Sequence, residues 1–323
     1  MSAGRRAPGP LRSPAFLRGA ALASLIANCV IVVTGGAVRL TSSGLGCPTW
    51  PTCTDDSLTP VAQYRWHGAV EFGNRMLTFV LVVVAVVTLV LALVQRTQRA
   101  LAVVAFLGIP AQAVLGGITV LTGLNPWTVA AHFLLSMALI AVTAVLLRRV
   151  RLDTGAAVPP ATPPAGPVRL LTAATVAVAV LVLAVGTVVT GSGPHAGDEG
   201  ARHRMGFDPG GISQLHADLV MVLVGLAVGL AVTLHLTRAP LGARKASWWL
   251  LAAIGAQGVI GYTQYFLGVP GALVVVHMAG ACAVWVATLE VPLQLSGRPR
   301  RTVSPAGVAA PGAPTERLTP TGS

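Results

Sequence analysis

His67-Gly-Ala-Val-Glu71-Phe-Gly-Asn74-Arg75 stands at the mouth of a long apolar run that continues from position 76 to about 94. The stretch carries an imidazole, a carboxylate, an amide and a guanidinium where the hydrocarbon of a bilayer would begin. Ionisable groups are costly there, so each needs a partner or a task. At about 100° per residue along a helix, His67, Glu71 and Asn74 fall on one stripe. Such a stripe faces other helices or a bound group rather than lipid.

The rest of the chain has the same character. Of 323 residues, 54% are hydrophobic and 10% charged, against roughly 25% charged in a soluble domain. Eight apolar spans can be drawn, at about 17–38, 68–94, 100–121, 127–147, 169–190, 213–236, 247–267 and 271–293. Each is close to the ~20 residues that a helix needs to cross the hydrocarbon core. The expected fold is therefore an all-α membrane protein with eight transmembrane helices. The first span is too long for a signal-peptide core and lacks a clear small-residue cleavage site, so it counts among the eight.

A net charge of +12 invites a nucleic-acid partner, but its distribution argues otherwise. Arg5, Arg6, Arg12, Arg18, Arg96, Arg99, Arg148, Arg149, Arg151, Arg169, Arg238, Arg244, Lys245, Arg298, Arg300, Arg301 and Arg317 all flank one side of the eight-span arrangement. The other side keeps Arg39, Arg65, Arg75, Arg202 and Arg204. The excess of basic residues on cytoplasmic loops sets topology, so both termini are expected in the cytoplasm of a plasma-membrane protein. The basic charge orients the protein against the bilayer; no nucleic acid is expected.

Residues 1–15 and 297–323 are rich in Pro, Gly and Arg without apolar period and read as disordered cytoplasmic tails. A Pro-rich linker at 151–167 divides the spans four and four. The two halves, 16–150 and 168–296, repeat each other. Ala111-Gln112-x-Val114-x-Gly116 recurs as Ala256-Gln257-x-Val259-x-Gly261. The same 145-residue offset pairs Gly123 with Gly268 and His132 with His277. Val32-Val33-Thr34-Gly35 likewise recurs as Val188-Val189-Thr190-Gly191. An even number of spans per half makes the repeat parallel, as two four-helix bundles.

His67, His132, His216 and His277 open spans two, four, six and eight. Each follows a helix breaker, Pro60, Pro126, Gly211 or Pro270, by five to seven residues. At 1.5 Å per residue that is ~10 Å below the break. A single buried histidine is usually a hydrogen-bonded core residue. Four at one depth, two per half, suit the clamping of a haem iron between imidazoles of facing helices. His195, His203 and His235 read as solvated or interfacial. Cys29 and Cys282 sit within spans as small core residues. Cys47 and Cys53 share the first outer loop, on the oxidising side, where a disulfide is the natural state. A metal pair is the competing reading, poorly served by a spacing of six with no histidine nearby.

These features resemble the haem A synthase family, membrane enzymes that oxidise haem O to haem A for cytochrome oxidases. The resemblance rests on Thr34-Gly-Gly-x-Val-Arg39-Leu-Thr41-x-Ser43-Gly44-Leu, on Cys47-Pro-x-Trp50-Pro-x-Cys53, on Glu71-x-x-x-Arg75 and on the three later histidines. It covers about residues 16–293. It implies that His216 and His277 are the axial ligands of a haem b cofactor, and that the N-terminal half takes the substrate haem beside His132 and His67. It also implies that Glu71 takes part in the oxidation of a ring methyl to a formyl. A carboxylate beside that carbon can stabilise developing positive charge or take a proton; the plainer role is an i,i+4 ion pair with Arg75. Arg39 and Arg75 are candidate partners of haem propionates. For Arg39 the alternative is an interfacial anchor, as it is for Trp50 and Trp127. Implied partners are haem O, haem O synthase as a candidate delivery partner, and the bilayer; homo-oligomeric assembly stays open.

One position departs from the family pattern, Glu-x-x-His-Arg, which here reads Glu71-Phe-Gly-Asn74-Arg75. An amide is a poor haem ligand. Depth below the preceding breaker favours His67 as the replacement. Distance to the inner arginine favours position 74, because Asn74 to Arg96 and His216 to Arg238 both span 22 residues. His67 is the expected ligand. The second outer loop, about 191–210, has no cysteine pair. Two other classes compete. A quinol-linked di-haem b electron carrier explains the histidines but leaves Glu71 and the loop cysteines without a role. A parallel-repeat transporter would carry no pigment.

Overall fold

The computed structural model describes residues 9–61, 65–154, 165–196 and 204–296. Among them are eight long helices: α1 (Pro14–Leu40), α2 (Arg65–Val94), α3 (Arg99–Leu121), α4 (Pro126–Asp153), α5 (Gly166–Ser192), α6 (Pro209–Leu236), α7 (Leu241–Phe266) and α8 (Gly271–Leu295). Extended structure among these residues is limited to an isolated bridge between Thr54 and Ser57. Seven of the helices are long and apolar enough to cross a membrane. α7 has the length, 26 residues, but Gln257, Gln264, Tyr262, Tyr265 and two tryptophans dilute its apolar content. The protein is a multi-pass membrane protein. Outward residues such as Phe79, Val83, Leu107, Met221 and Val259 are more than half exposed, as suits helices that face lipid tails rather than water.

The helices start and stop for local reasons. Asn125 accepts a hydrogen bond from the Trp127 amide and Asp208 from the Gly211 amide, which caps α4 and α6, and each helix has proline at its first position. α3 and α7 end alike. Gly123 and Gly268 take φ of +60° and +73°, followed by Leu124 and Val269 at +58° and +62°. The Leu124 amide bonds the Thr119 carbonyl (2.8 Å) and the Val269 amide bonds the Gln264 carbonyl (2.7 Å), a helix end that closes on a left-handed residue. Proline or asparagine then opens the next helix.

The inner turns also match, at a different offset. Arg96 and Arg238 both have positive φ. Thr97 N–H bonds Ala92 O and Ala239 N–H bonds Leu234 O, each at 3.0 Å. This pair of turns is 142 residues apart, against 145 for the α3–α4 and α7–α8 turns. The difference is the three extra residues of α7 over the 23 of α3. α1 and α5 are both 27 residues long and start and end 152 residues apart. That offset is one helical turn short of the 156 suggested by the recurrence of Val-Val-Thr-Gly. That tetrapeptide match is therefore out of register by a turn.

α1 packs on α2 and α4, and α3 on α2 and α4, so α2 and α4 face each other across the diagonal of a closed ring. α5 to α8 close a second ring in the same way, with α6 facing α8. The seam between rings is made by α1 and α4 against α8, and α4 against α5. It is tied by Trp285 Nε1, which donates to Met137 O (2.9 Å), and by Arg148 Nε, which donates to Leu293 O (3.0 Å). The largest fully buried apolar side chains, including Leu17, Leu91, Ile140, Leu146, Leu230 and Leu250, lie at mid-depth or toward the basic end. Close packing there holds both rings and leaves the opposite half of each ring to polar residues.

Three boundaries differ from the sequence expectation. α1 starts at Pro14, inside the expected tail, because proline is well placed at the first position of a helix. α4 runs on to Asp153, where Thr97 and Gln98 side chains both donate to its carboxylate at 2.6 Å. α2 is helical from Arg65, three residues before the expected span, and residues 62–64 ahead of it lie outside the described residues. The remaining parts of both tails, the linker at 155–164 and His203 lie outside the described residues.

Candidate functional site

Three imidazoles are mounted in one way. His132 of α4 lies against Gly116 of α3, His277 of α8 against Gly261 of α7, and His216 of α6 against Gly186 of α5. A Cβ built on these glycines would lie 3.2, 3.4 and 3.2 Å from the ring Cε1, with Nδ1 the next atom. Any side chain larger than hydrogen would push the ring away. Each ring thus presents the same edge to a neighbouring helix. All three Nδ1 atoms are buried without a protein hydrogen-bond partner. Gln112 Nε2 donates to His132 O (3.2 Å) and to Ser136 Oγ (2.5 Å), and Gln257 Nε2 donates to His277 O (2.6 Å). The two glutamines brace the histidine-bearing helices from equivalent places. His216 and His277 are near enough to interact electrostatically across the second ring, and the Val182 carbonyl approaches the His216 ring.

Depth separates His67 from this group. His132, His216 and His277 lie six, seven and six residues past the starts of their helices. The Nδ1 of His67 is 3.0 Å from Ser43 Oγ, and its ring stacks on Trp66 at 4.0 Å between centroids. It belongs to the packing of the first outer loop, whose Gly46 lies against the His67 carbonyl. The 142-residue offset of the α2 and α6 ends pairs His216 with Asn74, not with His67. Asn74 meets α1 as His216 meets α5: Thr34 Oγ1 donates to Asn74 Oδ1 (2.8 Å). Shifted by 152 residues, Thr34 is Gly186. By that register the amide of Asn74 shares the level of His216, and His67 lies about two turns outward of it on α2.

Glu71 lies about one turn outward of Asn74 on α2 and is 5% exposed. Its Oε1 is 2.6 Å from Arg75 Nη2 and its Oε2 accepts from the Cys47 amide at 2.5 Å. Arg75 also donates to the carbonyls of Cys47 (2.9 Å), Thr49 (3.0 Å) and Thr52 (3.0 Å). Cys47 and Cys53 are joined in a disulfide. The ion pair of α2 thus grips a covalently closed loop, and Trp50 of that loop lies on Gly117 of α3. A buried carboxylate keeps its charge only with such partners. The loop forms a cap over the first ring.

Arg39, at the end of α1, donates to His195 O (2.8 Å) and Ala196 O (2.5 Å) in the second outer loop. His195 Nε2 is 2.8 Å from Val269 O, so this histidine is tied into the turn before α8. His235 packs edge-on to Trp248. Sequence reasoning found the Gln112 and Gln257 pair and two of the three glycines. It missed Gly186 and the Thr34 contact, since their helix carries the misleading Val-Val-Thr-Gly match.

The fold and site define a multi-pass membrane protein of two four-helix rings, with glycine-backed imidazoles in both rings and a disulfide-closed loop over the first. A family model described as COX15-CtaA, cytochrome oxidase assembly protein, matches residues 18–197, and the chain belongs to that family. It is 33% identical over 127 residues to a heme A synthase of Geobacillus thermodenitrificans, covering 38% of this chain and 39% of that protein. A heme A synthase of Geobacillus kaustophilus is 31% identical over 126 residues, covering 38% and 39%. One of Listeria welshimeri is 30% identical over 127 residues, covering 38% and 41%. The chain thus spans about two fifths of the length of these relatives.

Proposed function

We propose that this protein is a haem A synthase, which oxidises a ring methyl of haem O to the formyl of haem A. The observation that carries this is the unequal furnishing of two matched rings. One has a facing histidine pair; the other has one histidine opposite a buried carboxylate under a cap. The residues of the second ring fit a haem b cofactor. His216 and His277 face each other across the diagonal, their Nδ1 edges turned to helix backbone and unsatisfied within the protein. His216 and His277 would hold haem b, which would supply one-electron redox steps there.

In the first ring, His132 is the imidazole available to the substrate, and Asn74, bonded to Thr34, supplies no second ligand. Glu71 is the group that can take a proton from the oxidised methyl or oppose positive charge there. The Cys47–Cys53 loop, held by Arg75, excludes water from that carboxylate. Arg39 and Arg75 lie at the depth suited to haem propionates and exchange carbonyl partners for carboxylates when substrate enters. Haem O synthase is the candidate donor of substrate. The basic end of the bundle faces the cytoplasm of a plasma membrane, with both termini there.

The test is pigment analysis of the protein purified from a host that also makes haem O. The expected result is a low-spin haem b with haem O and haem A in the extract. A colourless protein would leave a transporter. Haem b without haem A under any condition would leave an electron carrier.

A further inference from the structure

Away from the histidine layer, the seam between the rings holds a second pair of reactive side chains. Cys29 is at the middle of α1 and Cys282 at the middle of α8. The two helices pack against each other and run in opposite directions. Their register is fixed by Leu40 beside Gly271 and by Gly36 under the thioether of Met278. Counting inward from the first contact, eleven residues along α1 and eleven along α8, brings the cysteines to one level, and eleven residues at about 100° each return to the same helix face. The two thiols therefore face each other across the α1–α8 contact. Cys282 is 4% exposed within the main core cluster, and Cys29 packs at the edge of that cluster, partly open to lipid. Ala279, Gly280, Ala281 and Ala283 surround Cys282 in sequence, and small residues let helix backbones approach closely.

We propose that Cys29 and Cys282 form a second, reversible thiol pair, closed to a disulfide by a lipid-soluble quinone. Two S–H bonds break and one S–S bond forms. Two electrons and two protons pass to the quinone, which leaves as quinol. The depth of the pair selects this class of oxidant. At mid-bilayer the sulfurs are out of reach of aqueous thiols and disulfides, and a carrier that dissolves in lipid and takes electrons with protons is required. The consequence is positional. Thr34 lies five residues outward of Cys29, and His277 five residues outward of Cys282, so a bond between the sulfurs fixes the spacing of α1 and α8 ~7.5 Å beneath one residue of each half-site. The pair is independent of which haem chemistry the half-sites perform.

The full chain in native membranes is exposed to a short-chain benzoquinone or to its quinol, denatured in a maleimide reagent, digested and analysed by mass spectrometry. With quinone, the Cys29 and Cys282 peptides are expected to be joined and unlabelled; with quinol, both carry label, a difference of two adducts per chain. Cys47 and Cys53 stay joined in both. Full labelling of Cys29 and Cys282 after quinone overturns the proposal. So does protection of Cys282 in a Cys29→Ser variant, which would reveal another partner. Equally fast closure by dioxygen in quinone-extracted membranes overturns the assignment of the oxidant.

Discussion

Glu71→Gln and Arg75→Ala, compared side by side, separate chemistry from scaffolding. Glu71 accepts two hydrogen bonds, from Arg75 and from the Cys47 amide. Glutamine offers one oxygen and sets an N–H against one of those donors. The loss is about one charge-assisted bond, ~1.5–3 kcal/mol, or roughly 10- to 150-fold in the docking equilibrium of the loop. Arg75→Ala removes three bonds to loop carbonyls and the cation paired with the carboxylate, which costs about 3–5 kcal/mol as the breaking of a buried pair. Exchange of the loop amides at 46–54 should therefore rise more in Arg75→Ala than in Glu71→Gln.

Haem A production should rank the other way. Removal of a positioned acid or base costs on the order of 10²- to 10⁴-fold, so Glu71→Gln is expected to retain haem b, accumulate haem O or a partly oxidised form, and make the least haem A. The measurements are hydrogen exchange of the loop and reverse-phase separation of extracted haems. If haem A output follows the loop, with Arg75→Ala worse than Glu71→Gln, then Glu71 serves only to hold the cap. Full haem A output from Glu71→Gln refutes its chemical role outright.

His216→Ala and His277→Ala should each remove haem b or leave it high-spin by absorption; a wild-type low-spin spectrum in both would reject the pair. Gly186→Val should overpack the His216 ring by about 1–3 kcal/mol and lower haem b content about tenfold or more, with unchanged content arguing that the ring does not need that wall. Cys47 and Cys53 should resist alkylation in intact membranes until reduced, and mass spectrometry that found both free would contradict the closed loop. His67→Ala should leave haem content unchanged while loosening the loop, whereas Thr34→Gly with Asn74→His, which copies the glycine and imidazole of the second ring, should add a low-spin haem signal. A haem loss in His67→Ala would restore it as a ligand.

Helix number and order were legible in the sequence because a bilayer imposes length and apolarity on each span. The His132 and His277 match was legible because α4 and α8 begin at equivalent turns, each with glycine and a left-handed residue before the helix start. The docking of the first outer loop was not legible. It is bonded to α2 through Ser43, Cys47, Thr49 and Thr52, contacts between residues more than 20 apart in sequence. Spacing from a breaker measures depth only where the breaker is the helix start. Distance to the next turn did better at this site, since Asn74 and His216 each sit 22 residues from an arginine with positive φ.

The register of the rings gives the departure at Asn74 a physical meaning. In the second ring, Gly186 makes room for the edge of His216. In the first ring, Asn74 lies beside Gly35, and its amide oxygen accepts from the Thr34 hydroxyl. A hydroxyl with an amide stands on one side, open backbone with an imidazole on the other. The first ring thus carries an amide at the level of His216, with Glu71 about one turn outward on the stripe that opens the long apolar run of α2. On the proposed function, that difference is what separates a protein that binds a haem to change it from one that only stores or relays it.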